Sequence, residues 1–120
     1  MPKNFHTVTP YYTVPDLPAF LDFVTRAFGA EITFREPNNR HAEARIGDSM
    51  IMAGQARDEW KPNKMSAYLY IDDVDAWYRR ALDAGAASQS EPADQAYGDR
   101  TAGVTDPWGN NWWFGKPLDE

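Results

Sequence analysis

Two residues of this chain have the types and spacing for proton chemistry: His41 and Glu43, in the run RHAEARI. On a strand, residues two apart share a face. Either side chain could then act as a general base, or both could help hold a metal ion. The same pair also reads as a salt-linked surface patch. His6 and His41 are the only two histidines, and there are no cysteines, which excludes disulfides and thiolate metal sites. Arg100, beside Asp99, is a second candidate, for gripping an anionic group. Alternation along its strand turns it toward the helix side, where a structural ion pair is expected.

Composition narrows the setting for such chemistry. At 120 residues the chain has room for one compact domain, or for two small subdomains that share a core. No apolar run approaches the length of a membrane span. The opening MPKNFHTVTP lacks the apolar stretch of a signal peptide, so a cytoplasmic protein is expected. A net charge of −6 disfavours a nucleic-acid backbone as partner and suits a cationic small molecule.

The elements that must carry these residues can be read from turn chemistry and periodicity. Asp106-Pro107-Trp108-Gly109-Asn110 is a turn: Pro presets φ, and Gly and Asn tolerate positive φ. Trp112-Trp113-Phe114 behind it is bulky and β-prone. Residues 7–14 alternate as a strand, with Pro10 limiting it to an edge, bulge or exchange position. Asp16 caps a helix over 17–28, with Pro18 in its first turn and Gly29 as its stop. Residues 32–35, 40–46 and 49–53 are three further strands, and 55–64 reads as a polar linker. The pattern then restarts. Residues 66–71 alternate, Asp73 caps, and Val74, Trp77, Tyr78, Ala81 and Leu82 form a second helical stripe that stops at Gly85, giving a helix over 74–84.

Placing Asp16-Leu17 on Asp73-Val74 sets Thr9 on Ser66, Tyr11 on Tyr68 and Thr13 on Tyr70, and sets residues 50–54 on 111–115. The chain is thus expected to be α+β: two βαβββ modules, residues 1–58 and 59–120, in one compact domain with a cupped mixed sheet. One helix cannot cover both faces of a four-stranded sheet, so each module leaves a face open. Parity places Ala42, Ala44, Ile46, Ala67, Leu69 and Ile71 under the helices. It places Thr9, Tyr11, Thr13, His41, Glu43, Arg45, Met50, Met52, Ser66, Tyr68, Tyr70, Asn111 and Trp113 on the open side. Tyr, Met and Trp on that side do not suit a wet surface.

With the repeat established, TVPDLPAFLDFVTRAFGAE, YIDDVDAWYRRALDAGA and the turn at 106–110, in that order, resemble the vicinal oxygen chelate superfamily. That superfamily includes glyoxalase I, extradiol dioxygenases and the fosfomycin- and bleomycin-resistance proteins. The resemblance implies paired βαβββ modules, usually in a homodimer. HAEARIGDSMIM and YGDRTAGVTDPWGN also look like the members named for the phosphonate operon. The family's metal enzymes take one His, Glu or Gln from each of four strands, and the matching positions here are Thr9, Met52, Ser66 and Trp113. None is an imidazole or a carboxylate, so neither metal nor cofactor is expected.

The chain is closer to the bleomycin-resistance-like members, which sequester a cationic, partly aromatic drug without catalysis and carry an early proline, as at Pro10, associated with arm exchange. The ligand-binding set expected here is Thr9, Tyr11, His41, Glu43, Met52, Ser66, Tyr68, Tyr70, Asn111 and Trp113. The aromatic members, with Trp60, would stack on flat rings, and Glu43, Asp58 and Glu59 would meet positive charge. The expected partner is an aromatic or cationic small molecule, bound by a homodimer with no nucleic acid or membrane involved. A glyoxalase-like lyase or isomerase using His41 and Glu43 is the competing reading.

Overall fold

Residue 2 and residues 4–120 are described by a computed structural model. Met1 and Lys3 of the expected first module lie outside the described residues. The chain divides into two compact units, residues 1–63 and 64–120. The first contains β1 (Tyr11–Val14), α1 (Leu17–Phe28), β2 (Glu31–Arg35), β3 (His41–Ile46) and β4 (Ser49–Gln55). The second contains β5 (Ser66–Tyr70), α2 (Val74–Asp83), β6 (Ala87–Asp94), β7 (Asp99–Thr105) and β8 (Asn111–Pro117). Each is a βαβββ module with a mixed four-stranded sheet. The orders are β1-β4-β3-β2 and β5-β8-β7-β6, which coincide when one module is laid on the other. In each sheet the first strand runs parallel to the last, and the other pairings are antiparallel.

The caps follow from the residue types. Asp16 accepts from the Ala19 amide at 3.1 Å and Asp73 from the Ala76 amide at 3.1 Å, so both helices start on the aspartates the sequence offers. α1 ends on Gly29 at φ 66°, a left-handed residue. α2 closes one residue earlier than expected, on Ala84, with Gly85 at φ 114° just beyond. The expected strand over 7–14 begins only at Tyr11, because Pro10 has no amide proton to give the ladder. The polar stretch after β4 is not a plain linker. Gln55 ends β4 and accepts from the Leu17 amide at 2.9 Å while donating to the Pro15 carbonyl at 2.6 Å, which ties β4 to the start of α1.

Burial follows the predicted parity along β3, whereas Met50, expected on the open side, is buried, and Ala67, Leu69 and Ile71, expected beneath a helix, are only half-buried. Ala42, Ala44, Ile46, Tyr12 and Val14 are buried, as are Leu17, Phe20, Leu21, Phe23, Val24, Ala27 and Phe28 along α1. Each large aliphatic or aromatic side chain so placed contributes about 1.5–3 kcal/mol over its exposed state. In the second unit Ala102, Val104, Trp112 and Phe114 face the helix side, and Trp77 of α2 meets the Phe114 ring edge-on at 6.1 Å. Arg100 also lies there. Its guanidinium forms a two-pronged pair with Asp75 of α2 at 2.7 and 2.9 Å, and reaches Asp94 of β6 at 2.9 Å. It is a structural clamp between helix and sheet, as its place on the helix side led one to expect.

The turn at 106–110 is built around a buried carboxylate. Asp106 accepts from the backbone amides of Trp108 and Asn110, from the Asn110 side-chain amide and from the Trp112 indole, all at 2.9–3.0 Å. Asn110, fully buried, accepts the Met65 amide at 2.9 Å and so sets the start of β5 beside β8.

Candidate functional site

The helix-free face of the first sheet is arranged in rows set by register. One row runs Tyr11, Met52, Glu43, Phe34 across β1, β4, β3 and β2; the next runs Thr13, Gly54, His41. Within them three rings gather. Tyr11 stacks on His41 with centroids 5.7 Å apart and planes 27° from parallel, and Phe34 meets His41 at 6.2 Å. The Tyr11 hydroxyl lies 3.2 Å from His41 Nδ1, and His41 Nε2 lies 3.4 Å from Glu43 Oε2. An ionised carboxylate only accepts, so the imidazole proton belongs on Nε2. Nδ1 is then the acceptor for the Tyr11 O–H. Arg45, in the neighbouring row, is paired to Glu31 at 2.6 Å.

The second sheet presents the corresponding rows: Ser66, Asn111, Thr105; then Tyr68, Trp113, Gly103; then Tyr70, Gly115, Thr101. Tyr68 and Tyr70 are in ring contact at 5.0 Å, and both are exposed. The Tyr68 hydroxyl donates to Asp99 Oδ2 at 3.1 Å. Partial desolvation, reinforced by that hydrogen bond and by the Asp99 charge, pushes the phenol up to about 12.

Glycines shape both faces. A Cβ at Gly54 would strike the Tyr11 ring, one at Gly115 the Tyr68 ring, and one at Gly103 the Trp113 ring. Each aromatic ring therefore lies close against bare backbone.

Of the expected site residues, Tyr11, His41, Glu43 and Met52 come together on the first face, with half-buried Thr9 just ahead of β1. Ser66, Tyr68, Tyr70, Asn111 and Trp113 come together on the second. Phe34 was not expected. Simple alternation puts it with Ile32 beneath the helix, but a register shift between Ile32 and Phe34 turns it to the open side, 47% exposed. Asp99 and the three glycines were also not expected in this role; of these, only Gly54 and Gly115 were signalled, by their matching places in the repeat. Trp60 tops a small bridge from Arg57, and one face of its ring is taken by the Arg57 guanidinium at 4.8 Å.

The four positions that the resemblance matches to a metal site do not suit a metal ion. Thr9 and Met52 in the first unit, and Ser66 and Trp113 in the second, offer hydroxyls, a thioether and an indole, all poor donors for a divalent ion. Among the described residues no group of three or more His, Asp or Glu is placed to hold a metal. No helix among them is long and apolar enough to cross a membrane.

Comparison with known proteins agrees with the repeated module. The sequence model of the Glyoxalase/Bleomycin resistance protein/Dioxygenase superfamily matches residues 5–114, and the chain belongs to that superfamily. An uncharacterized protein of Mycobacterium bovis is 31% identical, over 94% of this chain and 84% of its own. Among solved structures, TioX from Micromonospora sp. ML1 superposes with TM-score 0.78 at 23% identity, covering 92% of this chain and 95% of that one. A lactoylglutathione lyase from Agrobacterium tumefaciens superposes with TM-score 0.73 at 19% identity, covering 96% and 94%. Identities this low establish a shared fold and no more.

Proposed function

We propose that the protein is a small-molecule binder of the glyoxalase/bleomycin-resistance superfamily that sequesters an aromatic or cationic ligand without a metal centre. One observation carries this reading: the helix-free sheet faces hold exposed aromatic rings beside carboxylates. These are Tyr11 and Phe34 near Glu43, and Tyr68, bonded to Asp99 and in ring contact with Tyr70, with half-buried Trp113 in the Tyr68 row. Rings give stacking surface, and carboxylates favour positive charge. The donor-poor set Thr9, Met52, Ser66 and Trp113 supports binding without an ion. The exposed Phe34, Tyr68 and Tyr70 of the single chain support a homodimer, which light scattering would test.

A second reading, a glyoxalase-like lyase or isomerase, is favoured by the contact between His41 and Glu43. Titration of tryptophan fluorescence with bleomycin, mitomycin, methylglyoxal–thiol adducts and catechols separates the two. Saturable binding of a drug without turnover supports sequestration. Turnover of an adduct or catechol that is lost in His41→Ala supports the enzyme.

A further inference from the structure

The two modules place equivalent tyrosines in different electrostatic settings. Tyr11 and Tyr68 occupy the same position of the repeat, each against a glycine, and each hydroxyl has one polar side-chain partner. For Tyr68 the partner is the Asp99 carboxylate, which accepts the hydroxyl proton and, carrying negative charge, opposes formation of a phenolate. For Tyr11 it is the Nδ1 of His41, a base that can accept the proton as Oη reacts. The imidazolium so formed would lie with Nε2 against Glu43, whose charge offsets it.

We propose that Tyr11 is a reactive phenol, served by His41 as its base and by Glu43 as the group that holds the imidazole in the right tautomer. The arrangement has the logic of a nucleophile, a base and an orienting carboxylate, with a phenol in the nucleophile's place. In the forward step the Tyr11 proton passes to His41 Nδ1, and the freed electron pair on Tyr11 Oη bonds either a proton or an electrophilic carbon of a bound molecule. After deprotonation of a ligand, Oη hands the proton it gained back to the ligand as His41 returns its own proton to Oη. Acyl transfer leaves the acyl group on Oη and sends the proton out with the leaving group. Tyr11 is 41% exposed, so its hydroxyl can be reached from the open side of the sheet. Phe34, on the far side of His41, restricts the imidazole from that direction. This chemistry goes beyond ligand sequestration and stands whether or not a drug is bound.

The chain contains its own controls. With N-acetylimidazole, attack by Oη on the acetyl carbon breaks the C–N bond and releases imidazole carrying the phenol proton. Peptide mass spectrometry then gives an acetylation rate for each tyrosine. Tyr11 is expected to react at least about tenfold faster than Tyr70 and Tyr97, although both are more exposed, at 69% and 71%. Tyr68 is expected to be slower than Tyr70 and Tyr97. In His41→Ala the Tyr11 rate should fall to that of Tyr70, and in Glu43→Gln, which keeps the side chain's shape, it should fall part of the way. Circular dichroism checks the fold of each variant. Should His41→Ala fail to fold, the Glu43→Gln rate decides. Equal rates at Tyr11 and Tyr70, or a Tyr11 rate unchanged by Glu43→Gln, would overturn the proposal.

Discussion

The ring of Tyr68 lies against the backbone of Gly115, with no room for a Cβ between them. The same relation holds between Tyr11 and Gly54, at the matching place in the first module. Register explains it. Tyr70, not Tyr68, sits directly across from Gly115, so the Tyr68 ring leans one step along the neighbouring strand, over the only residue there without a side chain.

Gly115→Ala should therefore cost about 1–3 kcal/mol, because the new methyl must displace a ring or the backbone beneath it. Urea unfolding measures the loss. In a Tyr68→Ala background the same change should cost much less, since the obstruction is gone, and that non-additivity is the signature of direct contact.

Much of this was legible beforehand, and the exceptions have physical causes. Asp16, Asp73 and Gly29 announce the helix ends because capping is local chemistry. Ala42, Ala44 and Ile46 announce the buried face because alternation holds along β3. Phe34 was not foreseen on the open side because a β-bulge breaks alternation, and nothing in EITFR marks where the extra residue falls. Likewise, that Tyr11 has a base as partner and Tyr68 a carboxylate depends on cross-strand geometry between residues about 30 apart.

Asp106 should be the least replaceable residue of the β7–β8 turn. Its carboxylate gathers four N–H donors in a buried setting, and Asp106→Ala removes the acceptor from all of them at once. A loss of about 3–5 kcal/mol is expected, with a smaller loss for Asp106→Asn, which keeps one acceptor oxygen but turns an amide donor toward other donors. Chemical denaturation of both variants checks the order.

The Arg100–Asp75 clamp should appear in the acid limb of the stability curve. The Arg100 hydrogen bonds and charge hold the Asp75 carboxyl below the usual carboxylate range. A carboxyl lowered on folding contributes stability that is complete above its unfolded pKa and is lost as pH falls through the folded value. Arg100→Met should therefore flatten the dependence of the unfolding midpoint on pH below about pH 4, where an unfolded aspartate titrates. Both partners are partly solvated, so solvent screening keeps the effect small.

The central claim, that the aromatic sheet faces bind a cationic or aromatic small molecule, is tested most directly by calorimetric titration of bleomycin into the purified protein. The expected result is saturable binding at about micromolar Kd or tighter, with no turnover of the drug. It should weaken roughly fivefold in Trp113→Leu, as removal of about 1 kcal/mol of stacking requires, with the variant's stability measured in parallel. It should weaken again in Glu43→Gln. No binding of bleomycin, mitomycin or any other cationic or aromatic probe up to about millimolar concentration, or binding indifferent to both substitutions, would contradict it.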